Sequence, residues 1–334
     1  MTMVSIGDLA RSMLLQRNTA SAKTDLARLA EVLASGRHAD QAAQVRGDLG
    51  PLAAIEGTLT RLGGWQSAAS AISGRLGAAQ SALGALHGIA EAQTTSLLRL
   101  GQGTRADQVA LAASDARAHL DSAIGVLNAR FGGQAVFAGT RGDGPALAGG
   151  DVLLDALWPL VTGATTAEAA RDAVLSWFDD PAGFATQGYL GGSSQAAVSI
   201  GPRESAAVAV TGADPAIARA LSGLAMAALL DRGLFAGHDT ARQQLAEMAG
   251  GVLASNAEAR IHLAAGIGST EQRLAEVQTR NAAEQGALGI ARSGMVSADP
   301  YATAADLESA RVQLETLFAI TSRLSGMSLL GYLR

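Results

Sequence analysis

Residues 62–90 read LGGWQSAASAISGRLGAAQSALGALHGIA, and their spacing decides the fold class. Apolar positions recur at alternating steps of three and four. Two heptad rows run through the stretch: Leu62, Ala69, Leu76, Leu83, and Trp65, Ile72, Ala79, Leu86. Such rows are the seam of a coiled coil. The same rhythm extends back through Leu59, Ile55, Leu52, Leu49 and Val45 and forward to Ala90. A helix over 44–100 would be about 80 Å long, which suits a rod better than an enzyme. Seven glycines interrupt it: Gly57, Gly63, Gly64, Gly74, Gly77, Gly84 and Gly88. Each costs about 1 kcal/mol of helix propensity. Two readings follow: a helix broken near Gly63–Gly64, or a continuous one whose glycines let neighbouring backbones approach.

The far half of the chain mirrors this pattern. Between Asp239 and Arg292 the rows are Leu263, Thr270, Val277, Glu284 and Ile267, Leu274, Asn281, Leu288, with Asp239 as N-cap. A middle helix over 105–129 carries Val109, Ala113, Ala116, Leu120, Ile124 and Leu127 on one face. Thr104 and Asp107 suit its capping box. From Thr140 to about Gly237 the long period disappears and turn signals cluster. Short β-like runs are read at Ala197–Ile200 and Ala206–Thr211, with Arg203-Glu204 in the loop between them. Asp214-Pro215 then restarts a helix as N-cap and N1.

The ends are amphipathic. Ile6, Leu9, Met13, Leu26, Leu29 and Leu33 form one stripe, and Leu307, Leu314, Leu317 and Leu324 form another. Helices of this kind are marginal alone and need a partner, either each other or another subunit. The expected class is mainly α: a long antiparallel coiled-coil rod built from both chain ends, with a small α/β insert. The expected segments are a terminal assembly helix (1–40), half of the rod (41–139), the outer insert (140–237), the second half of the rod (238–298) and a closing assembly helix (299–334).

Composition agrees. The 334 residues are 48% hydrophobic but only 4% aromatic and 16% charged, with 40 Gly and 7 Pro. That excludes a disordered, charge-rich chain and favours small-residue helix packing. The net charge is −5, without a dense Lys/Arg run, so no nucleic-acid partner is expected. Cysteine is absent, which removes disulfides and thiolate chemistry. No cleavable signal and no membrane span is read, so export would use an uncleaved segment.

Several short motifs resemble the bacterial flagellin superfamily, above all its hook–filament junction members (the hook-associated protein 3 family). They are Leu33-Ala34-Ser35-Gly36-Arg37 near the start, then Val136-Phe137-Ala138-Gly139-Thr140 with Asp143 and Pro145. Tyr189-Leu190-Gly191-Gly192 and Val210-Thr211-Gly212-Ala213-Asp214-Pro215 follow. Asp299-Pro300-Tyr301-Ala302-Thr303 and residues 314–321 complete the set. The chain departs from filament flagellins after Asp40, where Gln41-Ala42-Ala43-Gln44 stands, and at its terminus. The resemblance implies a non-enzymatic structural protein, exported and assembled at the tip of the hook through its terminal helices. It implies an extracellular location and contacts to an adjacent hook-associated protein, flagellin, copies of itself and an export chaperone. A divergent flagellin is the alternative within the class. A cytoplasmic helical enzyme or ligand-binding protein is the alternative outside it.

Chemical motifs are sparse, and no cofactor or metal is expected. The five histidines, His38, His87, His119, His238 and His262, form no close ligand pair, and they read as surface or capping residues. Gly101-Gln102-Gly103 and Gly266-Ile267-Gly268 follow no strand and complete no phosphate-binding fingerprint. Asp179-Asp180 before Pro181 reads as a helix end.

Overall fold

The computed structural model describes residues 6–38, 40, 48–100 and 105–332, with side chains from residue 10 to residue 323. The fold is mainly α. In chain order the helices are α1 (Ile6–Ser35), α2 (Gly50–Leu98), α3 (Ala106–Leu127), α4 (Gly150–Val161), α5 (Ala167–Asp179), α6 (Pro215–Asp231), α7 (Asp239–Ser255), α8 (Ala257–Val296) and α9 (Pro300–Tyr332). Two antiparallel hairpins complete it: β1 (Arg130–Phe131) with β2 (Gln134–Ala135), and β3 (Val198–Gly201) with β4 (Glu204–Ala206). The chain divides into two compact units, Met1–Arg61 with Ala283–Arg334, and Leu62–Ala282.

In the larger unit the heptad rows are buried at Leu62, Ala69, Ile72, Leu76, Ala79, Leu83, Leu86 and Ala90, and half-buried at Trp65. Burial of that row holds a helix whose sequence could not hold itself. Its neighbour runs antiparallel. Gly77 lies beside Glu271, Glu91 acts on Arg260, and Leu97 and Leu98 lie beside Gly250. The helix is continuous through Gly63 and Gly64. The close-approach reason for its glycines holds only at Gly74, where a Cβ would strike the Phe131 ring at 2.2 Å. Above Gly63, Gly64, Gly84 and Gly88 there is open space, which corrects that part of the sequence reading.

Helix α6 is the centre of the larger unit. Residues 216–218 and 220–230 are all buried, and α3, α4, α5 and α7 pack around it. A helix apolar on every side belongs in a core. Asp214 caps it by accepting from the Ala216 N–H at 3.0 Å. Gly223 gives Leu253 of α7 its seat, since a Cβ there would lie 2.7 Å from that side chain. Helices α7 and α8 are separated by Asn256 alone. Its amide donates to the Ala216 carbonyl at 2.8 Å, and the Arg260 guanidinium donates to the Leu253 carbonyl at 3.0 Å. Burial pulls the Arg260 pKa below its ordinary value, and the Glu91 carboxylate pulls the other way.

Local corrections follow from hydrogen bonding. His238, not Asp239, is the N-cap of α7. Arg105 is the N-cap of α3, and Thr104 lies outside the described residues. Strand β4 begins at Glu204, which pairs with Gly201, so only Pro202-Arg203 form the turn. The sequence reading missed β1–β2, although Gly132-Gly133, both at positive φ, are the two-residue loop such a hairpin requires. It also missed α4 and caught only the end of α5 at Asp179, since both helices are too short to establish a long period.

Gly139 and Gly63 give opposite predictions. Gly139 has φ +56, and a Cβ there would lie 2.2 Å from the Ser193 carbonyl oxygen. Gly139→Ala is expected to cost about 1–3 kcal/mol. Gly63→Ala, in open space within a helix, is expected to stabilise by about 0.5–1 kcal/mol. Urea unfolding of both variants checks the pair.

Candidate assembly surface

The terminal helices pack on each other. Ala22 and Val32 of α1 are buried and Leu15, Thr19, Leu26 and Leu29 half-buried. On α9 Thr303 is buried and Leu307, Ala310, Leu314 and Leu317 are half-buried. Both rows keep steps of three and four, as a two-helix seam demands. The structure thus brings Leu26, Leu29, Leu307, Leu314 and Leu317 into one α1–α9 pair. Met13 and Leu33 lie off that row and stay exposed. The side chains of Ile6, Leu9 and Leu324 lie outside the described residues.

The seam leaves a second apolar set in water. Met13 is 60% exposed, Leu14 61%, Val312 52% and Phe318 48%, and Leu33 and Ile320 are exposed as well. The Lys23 ammonium lies 5.4 Å from the Phe318 ring centroid and partly covers it. The sequence reading missed Leu14, Val312, Phe318 and Ile320 as surface candidates. The signal was present: these residues are apolar and do not fit the single stripe assigned to each helix.

The two end motifs meet. Gly36, at φ +66, ends α1 by donating its N–H to the Val32 carbonyl at 2.8 Å. The Ala298 N–H donates to the Gly36 carbonyl at 3.0 Å and the His38 N–H to the Val296 carbonyl at 3.1 Å, with Arg37 opposite Ser297. The Ser35 hydroxyl accepts from the Arg37 N–H. Asp299 caps α9 by accepting from the Tyr301 and Ala302 N–H groups at 2.8 and 3.3 Å, with Pro300 at its first position. Tyr301 itself is 87% exposed.

The mid-chain motifs converge in the larger unit. Phe137 is buried, and its carbonyl accepts from the Gly212 N–H at 2.8 Å. The Thr140 N–H donates to the Ser193 carbonyl at 2.9 Å, and the Gly192 N–H to the Ala138 carbonyl at 2.9 Å. Tyr189 donates its hydroxyl to the Gly192 carbonyl at 2.6 Å. Arg75 of α2 donates to Gln195, whose amide donates to the Gly139 carbonyl at 3.1 Å. Phe137, Gly139 and Thr140 therefore close a loop cluster, and their work is structural.

Reactive groupings are few. His119 donates through Nδ1 to Gln93 Oε1 at 2.7 Å, and Gln93, fully buried, donates to the Ala112 carbonyl. This half-buried network ties α2 to α3, where the sequence reading expected a surface or capping residue. His87 faces Glu91 and His262 faces Glu258, each along one helix. Among the described residues no three His, Asp or Glu side chains group as metal ligands, and no helix is long and apolar enough to cross a membrane. One cleft of about 470 Å³ lies between α5 and α6. Its charges are Asp180 and the Asp179–Arg219 ion pair at 3.1 Å, and neither a histidine nor a hydroxyl lines it. Asp179 does end α5, as expected.

Comparison with protein-family models gives no match, and comparison with curated protein sequences gives none. Among solved structures the chain is similar to one described as a "putative flagellar hook-associated protein" from Vibrio parahaemolyticus. The identity is 13%, the match covers 73% of this chain and 95% of that one, and the TM-score is 0.48. Function is therefore read from the chain's own residues.

Tyr189 supplies a pH prediction. Burial raises its pKa from 10.0, with Thr211 and Arg141 acting in the opposite direction. A folded pKa above the unfolded one contributes stability below about pH 10 that is lost as the phenol ionises at higher pH. Stability measured between pH 8 and pH 11 should fall at the alkaline end, and Tyr189→Phe should flatten that fall.

Proposed function

We propose that this chain is a non-enzymatic structural protein of the bacterial flagellum, assembling through its terminal helices at the junction of hook and filament. One observation carries the assembly part of the reading: α1 and α9 satisfy each other along one seam and still expose Met13, Leu14, Leu33, Val312, Phe318 and Ile320. Large apolar side chains left in water beside a seam that is already closed suit a contact with a further partner. The flagellar part rests on the motif resemblance at Ser35-Gly36-Arg37, Phe137-Ala138-Gly139-Thr140 and Asp299-Pro300-Tyr301. The departure at Gln41–Gln44, outside the described residues, favours the junction over the filament. On this reading the chain is exported without cleavage and works outside the cell. It contacts a neighbouring hook-associated protein, flagellin and its own copies, after escort by an export chaperone.

Immunogold electron microscopy with antibody to residues 141–237 tests the reading on intact flagella. Label confined to a short zone at the hook–filament boundary is expected. Label along the whole filament would make this a divergent flagellin. Gold only inside the cell body would overturn the flagellar reading and favour a cytoplasmic function. In solution, Leu14→Ser with Phe318→Ser should change monomer stability by no more than about 0.5 kcal/mol, because both side chains are exposed. The same pair should reduce self-association measured by sedimentation velocity.

A further inference from the structure

Helices α7 and α8 follow one another with a single residue, Asn256, between them. Nothing in the local sequence forces that break. Residues 252–260 (VLASNAEAR) contain neither proline nor glycine, and Asn256 itself keeps right-handed helical angles. A helix without those residues breaks where a side chain enters its hydrogen-bond ladder. Arg260 does so here. In an unbroken helix the Leu253 carbonyl would accept from the Ala257 N–H. It accepts instead from the Arg260 guanidinium at 3.0 Å. The ladder is regular on both sides: the Asn256 N–H donates to the Val252 carbonyl and the Arg260 N–H to the Asn256 carbonyl, each at 3.2 Å.

The intruding group sits on unfavourable terms. Arg260 is only 5% exposed, and its buried Nε has no hydrogen-bond acceptor. Glu91 of α2 acts on it electrostatically, but the ion-pair partner of that carboxylate is His87, at 3.7 Å. A guanidinium taken out of water without a matched anion is costly, and an unpaired buried donor adds to the cost. One contact opposes it. The Asn256 side chain, also buried, donates to the Ala216 carbonyl at the head of α6 at 2.8 Å and ties the break to the core.

We propose that this break is a two-state joint, wedged open by Arg260 and tied by Asn256. The second state is one continuous helix over residues 239–296, in which the Ala257 N–H takes the Leu253 carbonyl and the guanidinium returns to water. Both states satisfy that carbonyl. The balance between them therefore sets the desolvation of Arg260 against the bond from Asn256 to Ala216, two opposed contributions of the kind that make an element bistable. Helix α8 belongs to both compact units, so the joint lies at the root of an element that they share. The device does not depend on the terminal helices or on the flagellar reading.

Amide hydrogen exchange on the full-length chain, resolved at Ala257, reads the joint. That amide lacks the Leu253 carbonyl in the interrupted state and holds it in the continuous one. Arg260→Met removes the donor and the charge, whereas Arg260→Lys keeps both at a similar side-chain length. Arg260→Met should slow exchange at Ala257 about tenfold and leave the urea midpoint unchanged or higher. Arg260→Lys should exchange like the parent chain. Asn256→Ala, which cuts the tie to α6, should also slow exchange at Ala257. Unchanged exchange in Arg260→Met overturns the proposal. So does faster exchange through α7 and α8 with a lower midpoint, which would make Arg260 an ordinary support of the packing. Equal slowing in the Met and Lys variants overturns it as well, because the wedge would then not be the donor to Leu253.

Discussion

A helix as rich in glycine as α2 persists only because one row of its side chains is out of water. Its 49 residues include glycines at seven internal positions, and most of them have no neighbour above them. Propensity therefore works against the helix, and the stabilising term is burial of Leu62, Leu76, Leu83 and Leu86 against the rest of the larger unit. The requirement propagates outward. Helices α7 and α8 must run antiparallel beside α2, and the Asn256 break lets that partner turn toward the Ala216 carbonyl at the head of α6. Helix α6, buried on all sides, then gathers α3, α4 and α5 around it.

Much of this was legible because heptads write long-range packing in local spacing. Predicted seam residues are buried at all six named positions of α3 and from Ala69 to Ala90 of α2, while Ile55, Leu59 and Trp65 nearer the start of α2 are half-buried, since a period of three and four over many turns has one physical meaning. Asp214-Pro215 marked the start of α6 equally well, because cap and N1 chemistry are strictly local. What failed was information that the chain does not carry locally. Residues 206–211 have strand periodicity, but pairing is decided by what lies alongside, and only Glu204–Ala206 found a partner within the chain. Helices α4 and α5 are too short for a period to rise above the turn signals around them.

The candidate surface was half legible for a related reason. An apolar stripe announces that a helix face will be covered, but not by what. Leu26, Leu29, Leu314 and Leu317 were covered by the opposite end of the same chain. The residues left for a partner are those that the stripe model set aside, such as Leu14 and Phe318. The motifs divide in the same way. Phe137, Gly139 and Thr140 were noticed for their resemblance, and the structure gives them loop-closing work: a buried ring, a left-handed backbone and a bond to Ser193.

The junction of Gly36 and Arg37 with Ser297 and Ala298 has a mechanical consequence. Two backbone hydrogen bonds, Ala298 N–H to Gly36 and His38 N–H to Val296, tie the roots of α1 and α9 together at one point. A pull on either terminal helix reaches these rungs before it can part the chain leaving α1 from the chain entering α9. Because Gly36 lies opposite Ala298 and both helices leave from that end, a force that separates them meets the Ala298–Gly36 rung first and the His38–Val296 rung second. Tension along the ends is thus borne by the backbone at a fixed anchor, and the side-chain seam beyond it is left to govern which surface the helices present.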